Sequence, residues 1–353
     1  MPERYEILGK LASGGVGVVY RARDTVMGRD VAIKRLLPLE KTHLNAEASN
    51  SLQREAAALA RFQHPNVVTI YATEEDEEGR YVVTELIEGE TLKSVVDEFG
   101  GLELEEFYSL VYQTLEPLIA AQELSLIHRD LKPANLMVSP LESGGFRVKL
   151  LDFGLAKFSE APSTQTLDQT GAFLGSIHYI APEQIDLEPI DQRTDLYALG
   201  CVYYFALTGK TPFEDENAAQ IMHRKLDGRI ISLRSRRDGL PLPIRNWIRD
   251  LIARFPDDRP QSAREALAAF ERARERAKRA AEKAIPVATR IDEPSSGKAP
   301  ATRGAQRRRP KALGAPKPIP SSTSKPDSHP LFPALIGGTI VLVMLILVYL
   351  LTR

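Results

Sequence analysis

The stretch LIHRDLKPANLMV, Leu126 to Val138, constrains this chain more than any other. His128, Arg129, Asp130 and Leu131 followed by Asn135 fix five residue types at set spacing, which chance produces about once in a few million start positions. Alone, the stretch reads as a polar turn between apolar flanks. Seventeen residues beyond Asn135 stands Asp152-Phe153-Gly154, and later Ala181-Pro182-Glu183 in YIAPEQ. Between the first two lie short strand patterns, LMVSP and FRVKLLD, joined by a Gly-Gly turn at 144–145.

The flanking chain changes its period. Residues 1 to about 90 read mostly as strands: YEILGKL, GVVYRARD, DVAIKRLL, NVVTIYATEED and GRYVVTELI. One helical pattern interrupts them, NAEASNSLQREAAALARF. From about 91 to 270 the chain is mainly helical. The expected fold class is α+β and two-lobed, with a small β-rich lobe over about 5–88 and a large helical lobe over about 89–270. Ser262 and Glu265 fit a capping box, so a helix starts there and continues as ERARERAKRAAEKA, a solvated, charge-laced extension.

Charge divides the chain. Residues 1–270 hold 30 Lys/Arg and 41 Asp/Glu, a net of -11, whereas residues 271–330 hold 15 and 6, a net of +9. The acidic globule argues against nucleic acid as a partner. The basic stretch is rich in Pro, Ser and Ala and too poor in apolar residues for a core, so it reads as a disordered linker. The 21 residues Leu331–Leu351 carry no charge. As a helix they reach about 30 Å, the hydrocarbon thickness of a bilayer, and a transmembrane helix is expected. MPERYEILGK has charges where a signal peptide would have its apolar core, so none is expected. The single Cys201, in the apolar run YALGCVYYFAL, cannot form an intrachain disulfide and suits a reducing compartment as a buried small hydrophobe.

With the three motifs in this order, the chain resembles the eukaryotic-like (Hanks-type) serine/threonine protein kinases of bacteria over about residues 5–270. The resemblance implies ATP and Mg²⁺ as cofactors and proteins with Ser/Thr acceptors as substrates. It assigns Asp130 to the acceptor hydroxyl's proton and Lys132 to the transferring phosphate. Asn135 and Asp152 become the Mg²⁺ ligands. Lys34 in VAIK corresponds to the lysine for the α- and β-phosphates, and Glu55 to its ion-pair partner, with Glu47 a weaker choice. Val19 and Ala32 would roof the adenine above Leu136, with Thr84 as gatekeeper and the backbone of Glu85 and Ile87 on the adenine edge. Glu183 is expected to pair with Arg259, and Asp195 to tie down the catalytic loop.

Two departures stand out. The phosphate loop, Leu11, Ala12, Ser13, Gly14, Gly15, Val16, Gly17, Val18 and Val19, has alanine where the family pattern begins with glycine. That is a modest cost if the φ of Ala12 is negative. Ser176 stands where threonine is usual and keeps a hydroxyl for Asp130 and Lys132. Arg129 implies control by a phosphorylated loop, for which Ser159, Ser163, Thr164, Thr166 and Thr170 are candidates and Thr170 is favoured.

Lys311, Lys317 and Lys325 precede the uncharged run and only Arg353 follows it, so the kinase domain is expected on the cytoplasmic side of the cell membrane, with a short C-terminus beyond. An external sensor domain is not expected. The RRRPK run at 307–311 reads equally as an anionic-lipid contact or a solvated run. Ala334 and Gly338 hint at helix dimerisation, hence at a homodimer for trans-phosphorylation. A catalytically dead scaffold is the rival expectation, but Lys34, Asp130 and Asp152 are all present. A small-molecule phosphotransferase is disfavoured by the intact Ala181-Pro182-Glu183.

Overall fold

The computed structural model describes residues 4–14, 17–36, 62–153, 177–215 and 217–284. Alternating apolar residues build the first layer. β1 (Tyr5–Gly14), β2 (Gly17–Asp24), β3 (Arg29–Leu36), β4 (Ile70–Asp76) and β5 (Gly79–Glu85) form one antiparallel sheet in the order β1-β2-β3-β5-β4. Period two sends Ala22, Val31, Ile33, Tyr81 and Val83 to one face, where they close a small core with Tyr5. The register sets Val19 opposite Lys34, Lys34 opposite Val82, and Ala32 opposite Thr84, so these residues share the other face.

The second lobe starts with a three-stranded sheet of β6 (Glu90–Thr91), β7 (Leu136–Pro140) and β8 (Phe146–Leu150). Helices surround it: α1 (Leu92–Phe99), α2 (Leu104–Glu123), α3 (Pro182–Ile185), α4 (Gln192–Thr208), α5 (Ala218–Leu226), α6 (Leu233–Arg236), α7 (Leu242–Leu251) and α8 (Ala263–Ala284). α4 is buried on every face from Thr194 to Leu207, as its nearly unbroken apolar run requires. Cys201 is fully buried within it, and burial pushes its thiol pKa up, which leaves it unreactive. Aromatic rings lock the helices together. Trp247 of α7 stacks on Tyr203 of α4 at 5.3 Å and meets Phe270 of α8 at 4.9 Å.

Three expectations need correction. The strand expected over NVVTIYATEED begins only at Ile70; ahead of it Val68 N donates to the Leu150 carbonyl of β8 and Leu150 N to the Asn66 carbonyl, and this bridge joins the two lobes. The extension after Phe270 is not solvated all round, since Ala273 and Ala277 are buried and Arg274 lies 5.2 Å over the Tyr108 ring of α2. The capping box is half-formed: Glu265 N donates to Ser262 Oγ at 3.1 Å, but the Glu265 carboxylate accepts from Gln261 N, one residue early.

The turn between β5 and β6 needs glycine at position 89. A Cβ there would lie 2.4 Å from the Val138 carbonyl oxygen. The helix expected at 45–62 lies outside the described residues except for Phe62, as do the linker and the expected span at 331–351. Among the described residues, no helix is long and apolar enough to cross a membrane.

Candidate active site

The polar turn folds as its sequence dictates. Leu126, Leu131 and Leu136 are buried and pin the loop to the core at five-residue intervals. Pro133 opens a single 3₁₀ turn, Pro133–Asn135, closed by Asn135 N donating to Lys132 O at 2.9 Å. Between these anchors the polar groups meet. Lys132 Nζ donates to both Asp130 oxygens at 2.9 and 2.7 Å. Asn135 Nδ2 donates to the Asp130 carbonyl at 2.8 Å and to its Oδ2 at 3.0 Å. Asp130 is thus oriented from two sides yet keeps 29% of its side chain exposed, so an incoming hydroxyl can reach it.

Asp195 fixes the loop from below. Its carboxylate accepts from the backbone of His128 at 2.7 Å and of Arg129 at 2.8 Å. Burial pushes its pKa up, against the pull of those two amides. Arg129 holds φ 70°, a left-handed conformation that costs roughly 1–3 kcal/mol outside glycine. The Asp195 bonds hold that conformation in place. His128 ties the loop to the next motif, with Nε2 at 2.9 Å from the Leu151 carbonyl and its ring 4.8 Å from Phe153.

Asp152 also adopts a left-handed backbone, φ 57°, and its Oδ2 lies 2.6 Å from Lys34 Nζ. This ion pair joins β3 of the small lobe to the segment following β8. Leu151 N bonds the Asn135 carbonyl at 2.8 Å, which sets Asp152 beside the polar turn. The end of β5 is braced as well. The Glu85 carboxylate accepts from Lys149 Nζ at 2.6 Å and from Thr69 N at 2.7 Å. Burial raises its pKa, but the Lys149 ammonium and Thr69 outweigh that and leave it lowered. The Glu85 side chain is therefore spent on Lys149 and Thr69, its backbone N–H donates to the Thr69 carbonyl at 3.0 Å, and only its carbonyl remains for a ligand edge. Ile87 is half-buried and Leu136 fully buried.

The phosphate loop is described at its two arms. Leu11, Ala12 and Ser13 are exposed on β1, and Ala12 pairs with Val19. Among the described residues, only Ser125, Arg129, Asp152 and Leu187 combine a side chain with positive φ, so alanine at position 12 is unstrained. Gly17 does need glycine, with φ 134°. Gly14 pairs with Gly17 and Val18 with Ser13 at the mouth of the hairpin. Gly15, Val16, Glu47, Glu55, Gly154, Ser176 and the five candidate phosphorylation positions lie outside the described residues.

The donor set suits Mg²⁺. The amide of Asn135 gives its nitrogen to Asp130, which turns its oxygen away from that carboxylate, and Asp152 adds carboxylate oxygens from the adjacent segment. Hard oxygen donors of this kind match that ion.

Beneath the cleft, Arg259 Nη1 and Nη2 grip Glu183 at 2.7 and 2.8 Å with both side chains buried. Burial raises the Glu183 pKa, and the Arg259 pair reverses it to a net lowering. Thr194 Oγ1 adds a third bond at 2.8 Å. Sequence reading missed Thr194, and also Asn66, whose amide nitrogen donates to the Gln113 side chain of α2 and to the Val148 carbonyl of β8. Neither residue has a local pattern that marks it. Both were legible only as polar residues with no stated purpose.

Similarity to known proteins agrees with this geometry. A family model described as the protein kinase domain matches residues 5–269. A probable serine/threonine-protein kinase of Clostridium acetobutylicum is 34% identical over 267 residues, covering 76% of this chain and 39% of that protein. The serine/threonine-protein kinase PrkC of Bacillus subtilis is 34% identical over 260 residues, 74% of this chain and 39% of its own length. The serine/threonine-protein kinase PknB of Mycobacterium tuberculosis is 33% identical over 271 residues, 75% and 42% respectively. The chain thus spans about two fifths of the length of these curated relatives.

Proposed function

Because the chain belongs to the protein kinase domain family, we propose that it transfers the γ-phosphoryl group of ATP to serine and threonine hydroxyls of proteins. The observation that carries this reading is the convergence of Asp130, Lys132 and Asn135 beside the Lys34–Asp152 pair. Phosphoryl transfer demands in-line positioning and neutralisation of charge more than covalent chemistry, and these residues supply both. Asp130 orients the acceptor hydroxyl and takes its proton. Lys132, already on Asp130, offers the same ammonium to the phosphoryl oxygens. Lys34 exchanges or shares its Asp152 contact with the α- and β-phosphates. Asn135 and Asp152 would hold Mg²⁺, which supplies neutralisation of the triphosphate charge. Lysine two residues after Asp130 favours serine and threonine over tyrosine as acceptors.

The wider reading is a kinase tethered to the cell membrane by Leu331–Leu351, its kinase domain cytoplasmic, and switched on by autophosphorylation at Thr170 between paired copies. The uncharged run, the lysines before it and the Ala334/Gly338 pair support the tether and the pairing. Incubating the full chain with labelled ATP, Mg²⁺ and casein, beside Asp130→Asn, tests the chemistry. Label in the parent and none in the variant is expected. No label from the parent would overturn the reading in favour of a membrane-bound scaffold. Thr170→Ala should lower the rate, and an unchanged rate would remove that residue from the switch.

A further inference from the structure

α5 buries two positions four residues apart, Ile221 and Lys225, on one helical face. The second calls for an apolar side chain, yet it is a lysine with no exposed surface at all. Its ammonium is received with care. Nζ donates to the carbonyls of His178 and Ile180, both at 2.9 Å, with the Tyr197 hydroxyl farther off at 3.5 Å. It also lies 4.9 Å over the rings of Tyr197 and Phe213. Burial pushes its pKa down to about 8, the cost expected of an ammonium that only carbonyls and ring faces solvate.

The two carbonyls locate the purpose of that cost. His178 and Ile180 lead into the helix α3 that begins at Pro182, whose Gln184 accepts from Ala181 N and donates to the carbonyl of Arg129, the neighbour of Asp130, at 3.4 Å. The far end of this segment is already fixed, since Glu183 is gripped by Arg259, whose guanidinium lies 4.8 Å over the same Tyr197 ring. The near end is held by Lys225 and by His178 Nδ1, 3.3 Å from the Phe213 carbonyl. We propose that Lys225 is a positioning residue for the acceptor protein: it sets the backbone course of His178–Ile180, the platform on which the residues around the target hydroxyl are laid. This rests on the kinase reading above. It assigns to α5, distant in sequence from every motif, a part in acceptor recognition rather than in ATP chemistry.

The full chain carrying Lys225→Met, which keeps the length and removes every donor, separates the two. ADP formation with water as the acceptor and the KM for ATP should stay within about twofold of the parent, while the KM for casein rises roughly tenfold. Lys225→Arg, which keeps charge and donors, should recover part of the casein KM. If Lys225→Met fails to fold, Lys225→Gln takes its place and the same split is read. An unchanged casein KM overturns the proposal, and so does an equal loss in both reactions, since that marks a structural lysine only. A parent chain that labels nothing overturns the kinase reading itself, and Lys225 with it.

Discussion

Charged residues meet in two regions of this molecule under opposite terms. Under the large lobe, Glu183 and Arg259 keep 2% and 0% of their side chains exposed, and each is saturated by protein partners. In the cleft, Lys34 and Asp152 keep 12% and 28%, Lys132 and Asp130 18% and 29%, and they bond mainly one another. A saturated buried pair has nothing left to offer a ligand. A partly solvated pair costs less to part. The first fixes geometry; the second holds charges in reserve for a substrate of opposite sign.

The sharpest way to break that comparison is at Asp130. Asp130→Asn keeps the shape of the side chain but replaces one of the two oxygens that accept from Lys132 with an NH₂ group, and should lower phosphate transfer by about 10⁴-fold, near 5 kcal/mol of barrier. Its urea midpoint should hardly move. Arg259→Ala should do the reverse and destabilise by about 3–5 kcal/mol, because Glu183 stays buried without its counter-charge. Urea unfolding measures it, and the double change Arg259→Met with Glu183→Leu should recover most of the loss. Lys34→Met should cut turnover by about 10²-fold yet cost under about 1 kcal/mol of stability, since the pair it breaks is partly solvated.

Acid sharpens the contrast further. The folded pKa of Glu183 is lowered, first against burial and then by Arg259. Its contribution is therefore complete above the unfolded value of 4.5 and is lost as pH falls through the lower folded one. The Arg259→Met, Glu183→Leu chain should lose less stability over that window than the parent, as read by melting temperature against pH. The smallest effect belongs to Ala12→Gly. Position 12 is unstrained and exposed, so ATP affinity should tighten or hold within about threefold.

Much of this was legible where the signal is local. The polar turn packs Asp130, Lys132 and Asn135 into six residues, so their meeting is nearly a consequence of spacing. Strand alternation likewise set Ala32 and Lys34 on one face of β3. What escaped notice joins distant segments. Lys149 braces the end of β5 at Glu85, 64 residues away, and Lys225 reaches back 47 residues to His178, with ordinary amphipathic surroundings in both cases. The buried stripe on α8 was misread for another reason: alanines bury little area each, so Ala273 and Ala277 resemble a solvated helix until a partner surface is known.

That stripe has a mechanical consequence. α8 begins near the end of α2, where Arg264 meets Glu123, and runs back along it until Arg274 reaches Tyr112. It extends 15 residues past the kinase match, about 22 Å of helix at 1.5 Å per residue. Ala284 is therefore a stiff handle on the globule rather than the start of a slack tether. A torque applied there is borne by the rings of Tyr108, Tyr112 and Phe270 before any loop can absorb it.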